Sequence, residues 1–172
     1  MSETILITGA SSGFGRITAK ALARTGHMVF ASMRDPSVKN RNHAQELRQR
    51  GIAVLELDIS SDTSVDHAVK KVLADAGRID VLINNAGIAS AGITEAFTAD
   101  QAKVVLNTNI VGLLRTNRAV LPTMRAQGDG LIINIGSILG RVTFPFFVST
   151  APASLPLRHS PTVFATRSRS LA

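Results

Sequence analysis

From Thr8 the chain reads Thr8-Gly9-Ala10-Ser11-Ser12-Gly13-Phe14-Gly15, with its glycines in the spacing G-x-x-x-G-x-G. Glycine tolerates positive φ and has no Cβ, so the backbone N–H groups of such a turn can approach an anion closely. Ser11 and Ser12 add hydroxyl donors to the same loop. A helix opening at about Gly13 would turn its unpaired N–H groups and positive dipole end toward a pyrophosphate. The chemistry in prospect is recognition of a phosphorylated ligand. Taken by itself, the loop reads equally as a Gly/Ser-rich turn that holds nothing.

The flanking residues say what must position this loop. Ile5-Leu6-Ile7 reads as a short buried strand, and Ala19, Leu22 and Ala23 give the following helix one apolar face. Gly26 ends that helix, and His27 to Met33 reads as a second strand. Val38 to Arg50 reads as a polar helix closed by Gly51, and Ile52 to Leu57 as a third strand ending at Asp58. Ser61-Asp62 caps a helix through Ala76, with Val65, Val69, Val72 and Leu73 on one face. A fourth strand, Ile79 to Ile83, runs into Asn84-Asn85-Ala86-Gly87; a long helix over Asp100 to Gln127 and a fifth strand over Gly130 to Ile135 follow. Strands that are near-continuous apolar runs, alternating with helices, predict a parallel sheet buried on both faces by right-handed crossovers. With a glycine loop after its first strand, this is an α/β, Rossmann-like doubly wound sheet in three α/β/α layers.

Composition narrows the class. The 172 residues contain no cysteine, which excludes disulfides, thiol chemistry and cysteine metal sites. Met1-Ser2-Glu3-Thr4 runs straight into a strand and no 18-residue apolar run occurs, so a cytoplasmic location without membrane contact is expected. Net charge is +7, but Arg158, Arg167 and Arg169 fall in residues 148–172 with no acid beside them. No aromatic–basic interleaving of the kind used by single-strand binders occurs, which argues against a nucleic-acid partner.

Several motifs together resemble the short-chain dehydrogenase/reductases, over Thr4 to about Phe147. They are the T-G-A-S-S-G-F-G loop, Asp58 after the third strand, Asn84-Asn85-Ala86-Gly87 after the fourth, Asn109 three residues before Gly112, and Ser137 closing I-N-I-G-S. The resemblance implies a nicotinamide cofactor lying across the carboxyl ends of the strands. It assigns cofactor contacts to Thr8, Gly9, Ser11, Ser12, Gly13, Phe14, Gly15, Asp58, Ile59, Asn85, Ala86 and Gly87, with Asn85 and Gly87 acting mainly through strand-end geometry and packing. It assigns catalysis to Ser137, bonding the substrate oxygen, and to Asn109, holding a water in the proton path. Outside those motifs Ser137 would read as a turn residue and Asn109 as a helix residue bonded to backbone. The implied reaction is hydride transfer between the cofactor and a small-molecule alcohol or carbonyl, in a family that forms homo-oligomers.

NAD-users in the family place an acid eighteen residues after the last loop glycine, a slot filled here by Met33 and followed by Arg34. An arginine can pair with a 2′-phosphate that an acid would repel, so NADP is expected over NAD. Asp35 competes as the acid of the general fingerprint, although Pro36 suggests that the strand has already turned away.

The resemblance then breaks. The family's Tyr-x-x-x-Lys should begin where Thr150 stands, with its lysine where Ser154 stands, and the chain has no tyrosine at all. Pro152, Pro156 and Pro161 forbid the long helix the family has there. Codons exist for Val148 to Ser160 that, read one frame over, spell L-Y-G-A-S-K-F-A-V-E-A-F, with tyrosine and lysine in register. Two units are therefore expected: residues 1–147, an incomplete NADP-binding domain truncated after the fifth strand, and residues 148–172, a frameshifted and disordered tail. The alternative is a genuinely divergent basic tail. An oxidoreductase by descent that does not turn over is expected, or else a dinucleotide-binding module without catalysis. With nothing after it, the fifth strand is expected to present a bare apolar edge at Leu131-Ile132-Ile133.

Overall fold

A computed structural model describes residues 2–137 and 163–169 of the chain. The elements are β1 (Thr4–Ile7), α1 (Gly13–Arg24), β2 (Met28–Met33), α2 (Arg41–Arg48), β3 (Ala53–Glu56), α3 (Asp62–Ala76), β4 (Val81–Asn84), α4 (Ala99–Leu106), α5 (Gly112–Gln127), β5 (Asp129–Ile135) and β6 (Val163–Arg169). The strands form one sheet in the order β3-β2-β1-β4-β5-β6. The first five are parallel, as expected, and β1 sits at the centre between β2 and β4.

Alternation along the strands builds a core on each face of the sheet. Ile5, Ile7, Val29, Ala31, Val81 and Ile83 pack with Ala19 of α1 and with Ala44 and Leu47 of α2. Leu6, Phe30, Leu55, Leu82 and Ile132 face the other way, onto Val69 and Val72 of α3 and Val120 and Met124 of α5. Both faces are covered, which is why the strands carry no polar alternation. Each fully buried Ile or Leu contributes roughly 1.5–3 kcal/mol.

Local chemistry sets the ends of α3. Ser61 in extended backbone accepts the N–H of Ser64, and Gly77 stops the helix in the left-handed region at φ 73°. Two expectations shift. The polar helix starts at Arg41 rather than Val38, because Asp35 takes a left-handed φ of 46° and its carbonyl accepts the N–H groups of Val38 and Asn40 at 3.3 and 2.9 Å. The single helix expected over Asp100 to Gln127 is two helices joined by a π-turn, Asn107–Val111.

The bare β5 edge is overturned. β6 runs antiparallel along all of β5, from Asp129 opposite Arg169 to Ile135 opposite Val163. An unpaired apolar edge templates pairing, and Val163, Phe164 and Thr166 are residue types that favour strands. The expectations attached to Thr150, Ser154, Pro152, Pro156, Pro161 and Arg158 lie outside the described residues.

Candidate functional site

The glycine loop is fastened to the end of β4. Thr8 N–H donates to Ile83 O at 3.0 Å, and Asn85 Nδ2 donates to the carbonyls of Thr8 and Gly9 at 3.0 and 3.1 Å. That closeness is why glycine is required at two positions. Gly9 sits at φ 70°, and a Cβ there would stand 2.7 Å from Ala86 Cα. A Cβ on Gly15 would meet Gly9 O at 2.6 Å and run into Asn85 Nδ2. Gly13, at φ 54°, has open space around it, so its requirement is conformational alone. Ser12 occupies the N-cap of α1 without a side-chain cap bond.

Two adjoining cavities open over this region. The first, about 560 Å³, is lined by Gly9, Ser11, Ser12, Arg34, Asp58, Ile59, Asn85, Ala86 and Gly87 among the expected residues. The second, about 420 Å³, is lined by Thr8, Phe14, Asn109 and Ser137, and shares Ile59 and Asn85 to Ile88 with the first. The chain therefore brings together every expected site residue except Gly13 and Gly15, which line neither cavity and shape the loop instead.

At the first cavity, Asp58 Oδ1 accepts from both the N–H and the hydroxyl of Ser60, at 2.9 and 2.7 Å. Burial alone would raise this carboxyl, but the two Ser60 bonds, with Arg34 and Arg115 nearby, outweigh it and hold the group below its usual range. Arg34 lies near Asp58 but makes no direct ion pair with a carboxylate among the described residues, and its carbonyl accepts Asn40 Nδ2 at 2.6 Å. Asp35 also lines this cavity, although Pro36 had suggested that it was carried away. Met33 is buried in the slot an acid would need.

At the second cavity, Asn109 bonds the backbone of Ile88 twice. Its Oδ1 accepts the Ile88 N–H and its Nδ2 donates to Ile88 O, both at 2.9 Å. This is the backbone-bonded role, at a position that also faces the cavity beside Ser137. One lone pair and one N–H of the amide remain for other partners.

Lys39, Asn40 and Thr108 also line the first cavity and were not foreseen. A cation five residues after Arg34 was the available signal for Lys39, and adjacency to Asn109 for Thr108. Also missed was a polar cluster beneath the site. Asn84 Nδ2 donates to Asn117 Oδ1 and Asn134 Oδ1 at 2.8 Å, and Asn84 Oδ1 accepts the Thr116 hydroxyl at 2.7 Å. Such a cluster ties β4, β5 and α5 together where the site needs a fixed floor. Among the described residues no group of acids or histidines is placed to hold a metal, and no helix is long and apolar enough to cross a membrane.

A doubly wound sheet with a glycine cradle and a cleft at the carboxyl ends of its strands defines a dinucleotide-type α/β protein. Residues 3–151 match the family model for short chain dehydrogenases, and the chain belongs to that family. It is 42% identical over 144 residues to a 3-ketodihydrosphingosine reductase of Bacteroides thetaiotaomicron, covering 84% of this chain and 50% of the relative. It is 39% identical over 142 residues to an acetoacetyl-CoA reductase of Shinella zoogloeoides, covering 82% and 57%. Among solved structures, actinorhodin polyketide ketoreductase with NADPH superposes with a TM-score of 0.83 at 30% identity, over 91% of this chain and 61% of that one. A short-chain dehydrogenase from Streptomyces avermitilis gives a TM-score of 0.81 at 32% identity, over 91% and 57%. The chain thus spans about half the length of the curated relatives it matches.

Proposed function

We propose that residues 1–147 are the NADP(H)-binding part of a short-chain reductase acting between an alcohol and a carbonyl, and that this chain binds the nucleotide without turning over. The supporting observation is the shared wall, Ile59 and Asn85 to Ile88, between the cavity holding the glycine loop and the cavity holding Asn109 and Ser137. A cofactor laid across that wall puts its phosphates and its reactive end in adjoining spaces. The residues fit the group: Gly9 and Gly15 leave room that a Cβ would fill, and the first cavity lies within the roughly 300–1,000 Å³ of ligand clefts.

Arg34 favours a 2′-phosphate, and an NADPH-bound neighbour agrees with that choice. When bound, the nicotinamide supplies or takes the hydride. Ser137 would then hold the substrate oxygen, and Asn109 fixes the Ile88 segment that lines the same cavity. Relatives named for 3-ketodihydrosphingosine and acetoacetyl-CoA support a ketone as the substrate class.

The missing partner is the proton donor. With no tyrosine in the chain, general acid/base catalysis worth ~10²–10⁴-fold is lost, and no lysine follows at Ser154 to orient the cofactor. The family match stops at residue 151, beside the position where that tyrosine belongs, which agrees with a loss of family sequence from about there. Fluorescence titration with NADPH followed by a turnover assay on ketones tests the proposal. Saturable binding without turnover is expected; ordinary turnover, or no binding, overturns it.

A further inference from the structure

Arg115 stands in the first turn of α5, with a side chain only 16% exposed. Its guanidinium reaches three acceptors on two segments, the turn from Ile59 to Asp62 and the π-turn. Nε bonds Asp62 Oδ2 at 3.2 Å at the start of α3, while Nη1 donates to Ile59 O at 3.3 Å and to Asn107 O at 3.5 Å. Ile59 lines both cavities. Asn107 O is the carbonyl that accepts Gly112 N–H and so defines the π-turn carrying Asn109. The same two segments also touch directly, since a Cβ on Gly112 would stand 2.9 Å from Ile59 Cδ1 and 3.1 Å from Ile59 O. The planar fork of arginine can serve several acceptors at fixed angles, which a lysine ammonium cannot.

We propose that Arg115 is a positioning residue that locks the Asp58–Ile59 loop to the π-turn carrying Asn109, so that filling the adenosine end of the cleft tightens that turn. This rests on assigning the first cavity to the adenosine end of NADP(H). A rise of order in one segment reaches the other through the contacts they share, and beside the packing of Gly112 on Ile59 the Arg115 guanidinium is the side chain that hydrogen-bonds both. Arg118 takes the other oxygen of Asp62 at 3.3 Å, so removing Arg115 leaves that acid with a partner.

The test uses 2′,5′-ADP as probe on the full chain. Amide hydrogen exchange is followed over Asn107–Val111, with and without saturating ligand, in the parent and in Arg115→Met. Exchange in the parent is expected to slow several-fold on binding, and the slowing to disappear in Arg115→Met at saturation. Equal slowing in both, or no response of the turn in a parent that does bind, overturns the coupling alone. A parent that binds no 2′,5′-ADP overturns the nucleotide assignment and the coupling with it. Should Arg115→Met fail to fold, Arg115→Lys decides, since it keeps the charge and stem but not the fork. Slowing below half the parent's factor supports the coupling, and undiminished slowing overturns it.

Discussion

The Thr8 hydroxyl oxygen accepts two consecutive backbone N–H groups, those of Asn85 and Ala86, each at 3.0 Å, and lies 3.4 Å from the Ile83 carbonyl to which it donates. Thr8 is buried, and its one hydroxyl serves three backbone groups at the end of β4 and the start of the segment that follows it. Thr8→Val keeps the shape and removes every one of those bonds. The Ile83 carbonyl keeps the Thr8 N–H, but the N–H groups of Asn85 and Ala86 lose their acceptor at about 1–3 kcal/mol each, so a loss of about 2 kcal/mol or more is expected in urea unfolding. Nucleotide affinity should fall with it, because the glycine loop is moored there.

Gly9 and Gly77 have nearly the same φ, 70° and 73°, but differ in surroundings. Gly77→Ala meets nothing within 4 Å and should cost only the conformational penalty of about 1–2 kcal/mol. Gly9→Ala adds a clash with the Ala86 backbone and should cost more, with nucleotide binding abolished in titration. Similar losses for the two variants would show that the approach of the two loops is not tight.

Asp58 is held below its ordinary value of 3.8. A carboxyl depressed on folding stabilises the native state above its unfolded pKa, and that contribution is lost as pH falls through the lower folded value. Stability attributable to Asp58 is therefore complete at neutral pH and disappears only below about pH 4. Asp58→Asn should flatten the acid limb of a stability–pH curve measured by urea unfolding. An unchanged acid limb would remove Asp58 from that role.

Arg34→Ala should weaken NADPH binding by about tenfold, equivalent to 1.4 kcal/mol, while leaving NADH nearly unaffected. Isothermal titration with both nucleotides reads the ratio. If the two affinities fall together, Arg34 acts on something other than the 2′-phosphate.

A gene-level measurement bears on the last part of the chain. Sequencing from the codon for Gly136 onward is expected to show L-Y-G-A-S-K in the neighbouring frame. A chain expressed with that frame restored is expected to gain ketone reduction. Absence of the tyrosine codon from every frame would leave residues 148–172 as true divergence.

The sheet was legible because its signals are local. Apolar runs of three to six residues, Ser61 before Asp62, and Gly26 and Gly51 after the first two helices are read one element at a time. The glycine loop, Asp58 and the Asn84 to Gly87 segment were legible for the same reason, and they converge on the two cavities. What escaped depends on contacts distant in sequence. The π-turn at Asn107–Val111 leaves the helical periodicity almost unbroken, so one helix was expected where two meet. The Asn84, Thr116, Asn117 and Asn134 cluster joins residues up to 50 apart and has no sequence pattern. β6 was missed because Pro, Ser and Arg dominate its neighbourhood, while its pairing is set by the vacancy beside β5 and not by its own composition.

That pairing has a further consequence. A strand has only two sides, and the outer side of β5 is spoken for along its whole length by a run of opposite direction. A parallel continuation of the sheet, or a strand lent by another molecule, competes for the same row of amides and carbonyls. Growth at that margin is therefore an exchange, in which Val163–Arg169 must leave before anything else can settle.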